Sequence, residues 1–240
     1  MKPNTLSIII PAYNEEATII DILNKIKSVS LINGVKKEII IVNDYSTDNT
    51  VLNAKAFINQ NPDLDIKIAE HEKNKGKGAA IHTGINLAEG EFTIIQDADL
   101  EYDPNEFNLL LKPIADGVAD VVYGSRFKGG NPHRILFFWH SVGNKILTNL
   151  SNALTNLNLS DMEVCYKLFK SKHIKSLNLK ENRFGFEPEV TAKISRIKGI
   201  RIYEVGISYY GRRFEEGKKI NWKDGFRAIY CILKYNIWSK

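Results

Sequence analysis

Apolar positions along this chain follow two rhythms that alternate. Residues 6–10 form an apolar, β-branched run of the kind expected of a strand covered on both faces. Ile19, Ile22, Leu23, Ile26 and Val29 then recur at helical spacing, which predicts a helix over 18–29. The same exchange repeats: strands over 38–42, 64–69 and 91–96, with helices over 50–59 and 79–87 between them. Strand and helix alternating in this way predict an α/β domain, a mostly parallel sheet with helices on both faces. Further on, the pattern predicts a helix over 105–111 opened by Pro104, a strand over 120–124, a strand-like run over 161–169, a helix over 190–197 and an extended stretch over 200–207.

Each early strand ends in polar or Gly-rich residues. The ends are Tyr13-Asn14-Glu15-Glu16, Asn43-Asp44-Tyr45-Ser46-Thr47-Asp48, Asn74-Lys75-Gly76-Lys77-Gly78 and Asp97-Ala98-Asp99-Leu100-Glu101. Ligands in such sheets bind outside the carboxyl ends of the strands, so these four segments predict one cleft. Asp97 and Asp99 stand two apart, on one face if the chain there is extended. Two carboxylates side by side suit a hard divalent cation, Mg²⁺ or Mn²⁺; a solvated turn rich in Asp is the alternative. Gly76-Lys77-Gly78 at a helix start suits either a phosphate cradle or a tight strand-to-helix turn. Ile81 stands where a dinucleotide fingerprint needs a third glycine, and no P-loop is present. Asp44 is placed to meet a base or ribose, or to cap the helix that follows. Arg126, in Gly124-Ser125-Arg126, follows a strand end beside Gly129-Gly130 and is placed to meet an anion.

Two segments are amphipathic. Over 134–157, Ile135, Trp139, Val142, Ile146, Leu150, Ala153 and Leu157 share one face, suited to packing on the domain or a partner chain, or to lipid. The stretch 222–238 is basic and aromatic and suits a membrane surface. Between them, Arg212, Arg213, Lys218 and Lys219 form either an anion-binding loop or a solvated charge run.

Composition narrows the class. The 240 residues are 43% hydrophobic and 25% charged, which fits a globular domain and excludes a disordered chain. The net charge of +5 favours anionic partners only where Lys and Arg cluster. Cys165 and Cys231 are too few for a disulfide framework, so a reducing cytosol is expected. The opening residues lack a signal-peptide core, and no run approaches the roughly 18–20 apolar residues of a membrane span. The five histidines lack metal-ligand spacing, and no Gly-x-Ser-x-Gly or Cys/His pairing points to a covalent nucleophile.

Taken in order, Ser7-Ile8-Ile9-Ile10-Pro11-Ala12-Tyr13-Asn14-Glu15, Ile41-Val42-Asn43-Asp44-Tyr45-Ser46-Thr47-Asp48, Asn74-Lys75-Gly76-Lys77-Gly78 and Asp97-Ala98-Asp99 resemble the family 2 inverting glycosyltransferases of the GT-A fold. Gly124-Ser125-Arg126, Asp161-Met162-Glu163, Phe184-Gly185-Phe186-Glu187 and the basic loop at 212–219 are similar to the branch that contains dolichyl-phosphate mannose synthases and bacterial polyprenyl-phosphate relatives. The resemblance covers roughly residues 5–225. It implies a glycosyltransferase domain over 1–220, with a nucleotide-binding half about 1–103, an acceptor half about 104–220, and a C-terminal segment 221–240 at the membrane interface. It implies that Pro11, Ala12, Tyr13, Glu15, Asp44, Lys77, Asp97 and Ala98 bind the nucleotide-sugar. Asp97, Asp99 and Glu101 would ligate the metal, Arg126, Arg212 and Lys218 would face the acceptor phosphate, and catalysis would fall to Asp97, Asp99 and Arg126. Asn43 and Gly206 stand where Asp and Pro are common, and Glu101 replaces the Gln usual in the mannose synthase branch.

The reaction so implied moves mannose or glucose from GDP-mannose or UDP-glucose to a polyprenyl phosphate with inversion, at the inner face of the cell membrane. The enzyme would be peripheral, with a homodimer allowed and nucleic acid not expected as a partner. A phosphate acceptor, with a second pKa of about 6, attacks without a base. Two other readings stand beside it: transfer to a saccharide hydroxyl in surface-polysaccharide synthesis, with Asp161 or Glu187 as base, and a non-catalytic nucleotide-sugar-binding protein.

Overall fold

A computed structural model describes residues 1–129, 134–135, 137–211 and 222–239. Seven strands form one sheet: β1 Lys2–Ala12, β2 Lys36–Asn43, β3 Ile66–Glu70, β4 Gly90–Ile95, β5 Val121–Ser125, β6 Lys167–Lys170 and β7 Ile202–Gly206. Their spatial order is β3-β2-β1-β4-β6-β5-β7. β1 pairs in parallel with β2 and β4, with Ile8 opposite Ile39 and Ile94. The chain thus winds one way from β1 to β3 and returns on the other side of β1 as β4. The crevice at this switch point lies between the carboxyl ends of β1 and β4.

Helices cover the sheet: α1 Ile19–Ser28, α2 Thr50–Gln60, α3 Lys77–Leu87, α4 Phe107–Ala115, α5 Phe138–Thr155, α6 Ser171–Ser176, α7 Phe186–Ile194 and α8 Trp222–Leu233. α1 buries Ile19, Ile22, Leu23 and Ile26, the stripe its spacing predicts. Leu6, Ile8, Ile9, Ile10, Ile40 and Val42 are fully enclosed, which is why β1 and β2 read as apolar runs rather than alternating ones.

Several elements differ from expectation. Helix α4 continues through Pro113 to Ala115. The hydrogen bond that Pro113 cannot donate would go to the carbonyl of Leu109, an exposed residue, so water can serve it. The run expected as extended over 161–169 is a strand only at Lys167–Lys170, and it enters the sheet antiparallel to both β4 and β5. α6 was not legible in the apolar pattern at all.

Helix α5 is shorter than the 134–157 expected, and Asn156, with φ of 57°, closes it in the left-handed region. Its buried residues are Thr148 and Ser151, whereas Phe138, Trp139 and Ile146 are exposed. The apolar face of its first half therefore looks outward. α8 and the π-helical turn Lys234–Trp238 bury Ala228, Cys231, Ile232 and Tyr235 and expose Phe226, Tyr230, Ile237 and Trp238. Among the described residues no helix is long and apolar enough to cross a membrane.

Candidate active site

The four polar strand ends converge as expected. A cleft of about 410 Å³ is lined by Pro11, Ala12, Tyr13 and Glu15 after β1, Asp44 after β2, Gly76 and Lys77 before α3, and Asp97, Ala98, Asp99 and Glu101 after β4. Arg126, Glu163, Cys165, Arg183, Phe184 and Tyr209 close its far side. Loop-to-loop hydrogen bonds hold the near wall. Thr47 N donates to Asn14 Oδ1 at 2.8 Å, and Asn14 N donates to Ser46 Oγ at 3.0 Å. The Glu15 carboxylate accepts from Thr18 Oγ1 at 3.0 Å.

Asp44 is a brace rather than a cap of α2; Asp48, one residue before the N-cap Asn49, accepts from Thr50 N at 3.0 Å. The Asp44 carboxylate accepts from Lys75 N at 2.8 Å and Gly76 N at 2.7 Å, and His71 Nδ1 lies 2.7 Å from it. His71 Nε2 in turn sits 2.9 Å from Thr83 Oγ1 on α3. One carboxylate thus ties together the ends of β2 and β3 and the start of α3.

The glycines before α3 also serve packing. Ala79 N donates to Asn182 O at 3.0 Å. A Cβ on Gly78 would lie 2.2 Å from Glu181 O, and one on Gly76 would lie 2.5 Å from Asn182 O. Both glycines are required because the backbone of 181–183 rests on them. The front of α3 thus meets Asp44 and the Asn182 carbonyl in a close strand-to-helix turn.

Asp97 and Asp99 sit in a turn beyond β4, not in the extended chain that their spacing suggested, and Leu100 between Asp99 and Glu101 has φ of 65°. Lys77 Nζ reaches Asp97 Oδ1 at 2.6 Å and Oδ2 at 2.8 Å and lies 3.0 Å from Cys165 Sγ. Burial works to lower the Lys77 pKa, but the adjacent Asp97 carboxylate outweighs it and holds the ammonium well above its ordinary value. Asp99 Oδ1 accepts from Glu101 N at 3.1 Å, and Glu101 Oε2 accepts from the Tyr209 hydroxyl at 2.9 Å. The three carboxylates share the cleft, yet among the described residues no group of three His, Cys, Asp or Glu is gathered to hold a metal. The expected ligand set of Asp97, Asp99 and Glu101 is therefore not assembled as a cage. Asp97 and Asp99 do offer hard oxygens on one cleft wall, the donor type that Mg²⁺ takes together with substrate phosphate and water.

Arg126 is clasped by Asp161. Its Nε donates to Oδ2 and its Nη2 to Oδ1, both at 2.7 Å, and its backbone N–H donates to Oδ2 at 3.1 Å. The guanidinium stands 5.3 Å from the Tyr209 ring centroid. Asp161 is fully buried in this fork. Glu187 is paired with Lys167 in the interior, and burial, opposed by Lys167, pushes its carboxyl up. Both candidate bases are engaged by cations. Arg212 and Lys218, expected to face the acceptor phosphate, lie outside the described residues.

A second cavity, about 650 Å³, adjoins the first and shares Lys77, Arg126, His140, Glu163, Cys165, Arg183 and Phe184 with it. Its remaining wall is mainly apolar: Ile81, Trp139, Leu147, Phe186 and Ala228, from α3, α5, α7 and α8. Sequence reasoning passed over Tyr102, Tyr209, Glu163, Cys165 and Arg183 as cleft residues. Only their place inside recognisable motifs pointed to Glu163 and Cys165, and nothing local marked Tyr209, which arrives from β7.

Comparison with known proteins adds the following. A model of glycosyl transferase family 2 matches residues 7–177. A dodecaprenyl-phosphate galacturonate synthase of Rhizobium johnstonii is 25% identical over 229 residues, which is 95% of this chain and 65% of that protein. A dolichol-phosphate mannosyltransferase of Pyrococcus furiosus is 26% identical over 96% of this chain and 64% of its own. The chain thus spans just under two thirds of the length of these two relatives. A UDP-N-acetylglucosamine–dolichyl-phosphate N-acetylglucosaminyltransferase of Methanococcus voltae is 27% identical, covering 97% of this chain and 96% of its own. Among solved structures, glucosyl-3-phosphoglycerate synthase of Mycobacterium tuberculosis, in complex with Mn²⁺, UDP and glucosyl-3-phosphoglycerate, superposes with a TM-score of 0.69 at 20% identity, over 97% of this chain and 80% of that one. The same enzyme is also known with Mg²⁺ and UDP.

Proposed function

The chain belongs to glycosyl transferase family 2 and has the GT-A fold, and from that premise we propose that it moves a hexose from a nucleotide-diphosphate sugar to a polyprenyl phosphate at a membrane surface, inverting the anomeric carbon. The observation that carries this reading is the junction at Arg126, where the polar cleft opens into an apolar groove. A lipid phosphate has the same two-part chemistry. Its anion belongs beside the guanidinium, with Arg212 and Lys218, outside the described residues, as further candidates, and its isoprenoid chain belongs against Ile81, Trp139 and Leu147.

On the donor side, Tyr13, Glu15 and the neighbouring Pro11 and Ala12 form the nucleoside end, and Asp97, Ala98 and Lys77 the diphosphate end. Asp97 and Asp99 would hold the divalent cation, with Glu101 in reserve behind Tyr209. When bound there, the cation would supply Lewis-acid neutralisation of the charge that gathers on the diphosphate. Lys77, between Asp97 and Cys165, adds a second positive charge to the same end. Arg126, fixed by Asp161, orients the acceptor for attack.

The rival acceptor, a saccharide hydroxyl, needs a base. Asp161 and Glu187 already face Arg126 and Lys167, which disfavours both in that role. The exposed Ile135, Phe137, Phe138 and Trp139, with Phe226 and Trp238 of the C-terminal segment, suit a peripheral seat on lipid. The test presents UDP- and GDP-sugars with Mn²⁺ to the protein, offering polyprenyl phosphate or a saccharide as acceptor. Glycosylated polyprenyl phosphate is expected; transfer to the saccharide alone would overturn the proposal.

A further inference from the structure

Glu163 lines both the polar cleft and the apolar groove, and it is the only carboxylate among the described residues that does. The other acids around it have partners: Asp161 holds Arg126, Glu187 holds Lys167 and Asp97 holds Lys77. Glu163 Oε1 is buried and has no hydrogen-bond partner. A buried oxygen left in that state is destabilising until something donates to it. Glu163 lines both cavities, so a ligand there can supply the donor once the carboxylate turns toward it.

The chemistry of that ligand follows from the surroundings. Burial, reinforced by the Glu187 and Asp161 carboxylates and opposed by Lys167 and Arg126, pushes the Glu163 carboxyl up to about 8. Around neutral pH the protonated form, which both donates and accepts, predominates over the ionised form, which only accepts. A phosphate group offers no donor and repels the ionised form. A sugar hydroxyl offers a donor and an acceptor together and suits both forms. Position agrees with this. With the nucleoside beside Tyr13 and Glu15 and the diphosphate beside Asp97, as the transferase reading has them, the hexose would extend toward the far wall, which Glu163 lines.

We propose that Glu163 is a specificity-determining residue that hydrogen-bonds a hydroxyl of the donor hexose, an assignment that rests on the transferase reading of this cleft. The pairing also explains why the oxygen is left open: the sugar completes it. A nucleoside diphosphate without sugar never reaches Glu163, so the residue should distinguish sugar nucleotides from nucleotides and leave nucleotide binding alone.

The experiment measures calorimetric affinities with Mn²⁺ for UDP, GDP, UDP-glucose, UDP-N-acetylglucosamine, UDP-galacturonate and GDP-mannose, on wild type, Glu163→Gln and Glu163→Ala. Glu163→Gln keeps shape and one acceptor; Glu163→Ala removes both. For the donor that wild type prefers, we expect Glu163→Ala to weaken binding 10–100-fold and Glu163→Gln by less. Affinity for the matching nucleoside diphosphate should stay within twofold, which also reports that the variants are folded. Equal affinity of wild type and both variants for that sugar nucleotide would overturn the inference, as would equal loss of nucleotide and sugar nucleotide. Wild-type protein that binds none of the six would refute the transferase reading itself, so the two failures are distinguishable.

Discussion

Replacing Gly78 with alanine tests the claim that the glycines before α3 exist for packing. The added Cβ would meet Glu181 O at 2.2 Å, the Asn182 carbonyl carbon at 2.8 Å and Arg183 O at 3.0 Å. All three are backbone atoms, so no side-chain rotation relieves the contact. Overpacking of this kind costs about 1–3 kcal/mol, and the rigidity of the neighbours places Gly78→Ala at the upper end. Alanine returns at most about 1 kcal/mol of helix propensity. The net loss of about 2 kcal/mol should lower the melting temperature by roughly 4–8 °C in a chain of this size. Gly143 provides the opposite sign. It lies within α5, its Cβ would meet nothing within 4 Å, and Gly143→Ala should stabilise by about 1 kcal/mol. Activity separates the variants further. To regain ordinary contact the 181–183 backbone must retreat by about 1 Å, carrying Arg183 and Phe184 out of the wall they share between cleft and groove. Misplacement on that scale lowers turnover by on the order of 100-fold. Thermal unfolding and sugar transfer, measured together, decide it: Gly78→Ala as stable and as active as wild type would refute the packing account.

Four other outcomes are expected. Asp161→Asn leaves Arg126 buried without its counter-charge and should destabilise by about 3 kcal/mol, read by urea unfolding; a loss under about 1 kcal/mol would count against the clasp. Glu181 accepts from Arg227, Lys234 and Tyr235. Burial opposes, but these donors prevail and lower its pKa to about 2 from an ordinary 4.5. Its folded-state pKa is depressed, so its stabilisation is present above about pH 4.5 and disappears as pH falls toward 2; Glu181→Gln should flatten the stability profile in that window. Asp99→Ala should abolish the Mn²⁺-dependent part of turnover while moving the melting temperature little, and retained metal dependence would remove Asp99 as a ligand. Trp139→Glu should reduce co-sedimentation with anionic phospholipid vesicles severalfold; unchanged sedimentation would free the α5 face from that role.

Elements covered on both faces were the most legible in the sequence. Leu6, Ile8, Ile40 and Val42 are apolar whichever way they point, so β1 and β2 stand out by composition, and their polar ends mark the cleft. Legibility fell where structure depends on residues distant in the chain. Nothing near Lys167 tells that its strand runs antiparallel between β4 and β5. Asp161 lies 35 residues from Arg126, and Lys77 lies 20 from Asp97, so the ion pairs that engage a candidate base and a candidate metal ligand could not be read from local pattern. Asp44 showed the same limit, its carboxylate taken up by a loop 31 and 32 residues away. On α5 the helical period was correct, but which side faces the domain is set by Thr148 and Ser151, polar residues that pattern reasoning assigns outward.

The clasp between Arg126 and Asp161 has a consequence for how this chain can change. The two residues meet at the root of an excursion that contains α5, and Ser125 Oγ and Ser160 Oγ, 2.6 Å apart, close the same root. A segment whose ends are fastened together can be lengthened, shortened or exchanged at small entropic cost, about 0.6 kcal/mol for each doubling of its length. The sheet edge formed by β1, β2 and β4 takes no part in that fastening. A transplant of the segment that contains α5, cut just outside the clasp, should therefore change the α5 face and leave the ends of β1, β2 and β4 in place.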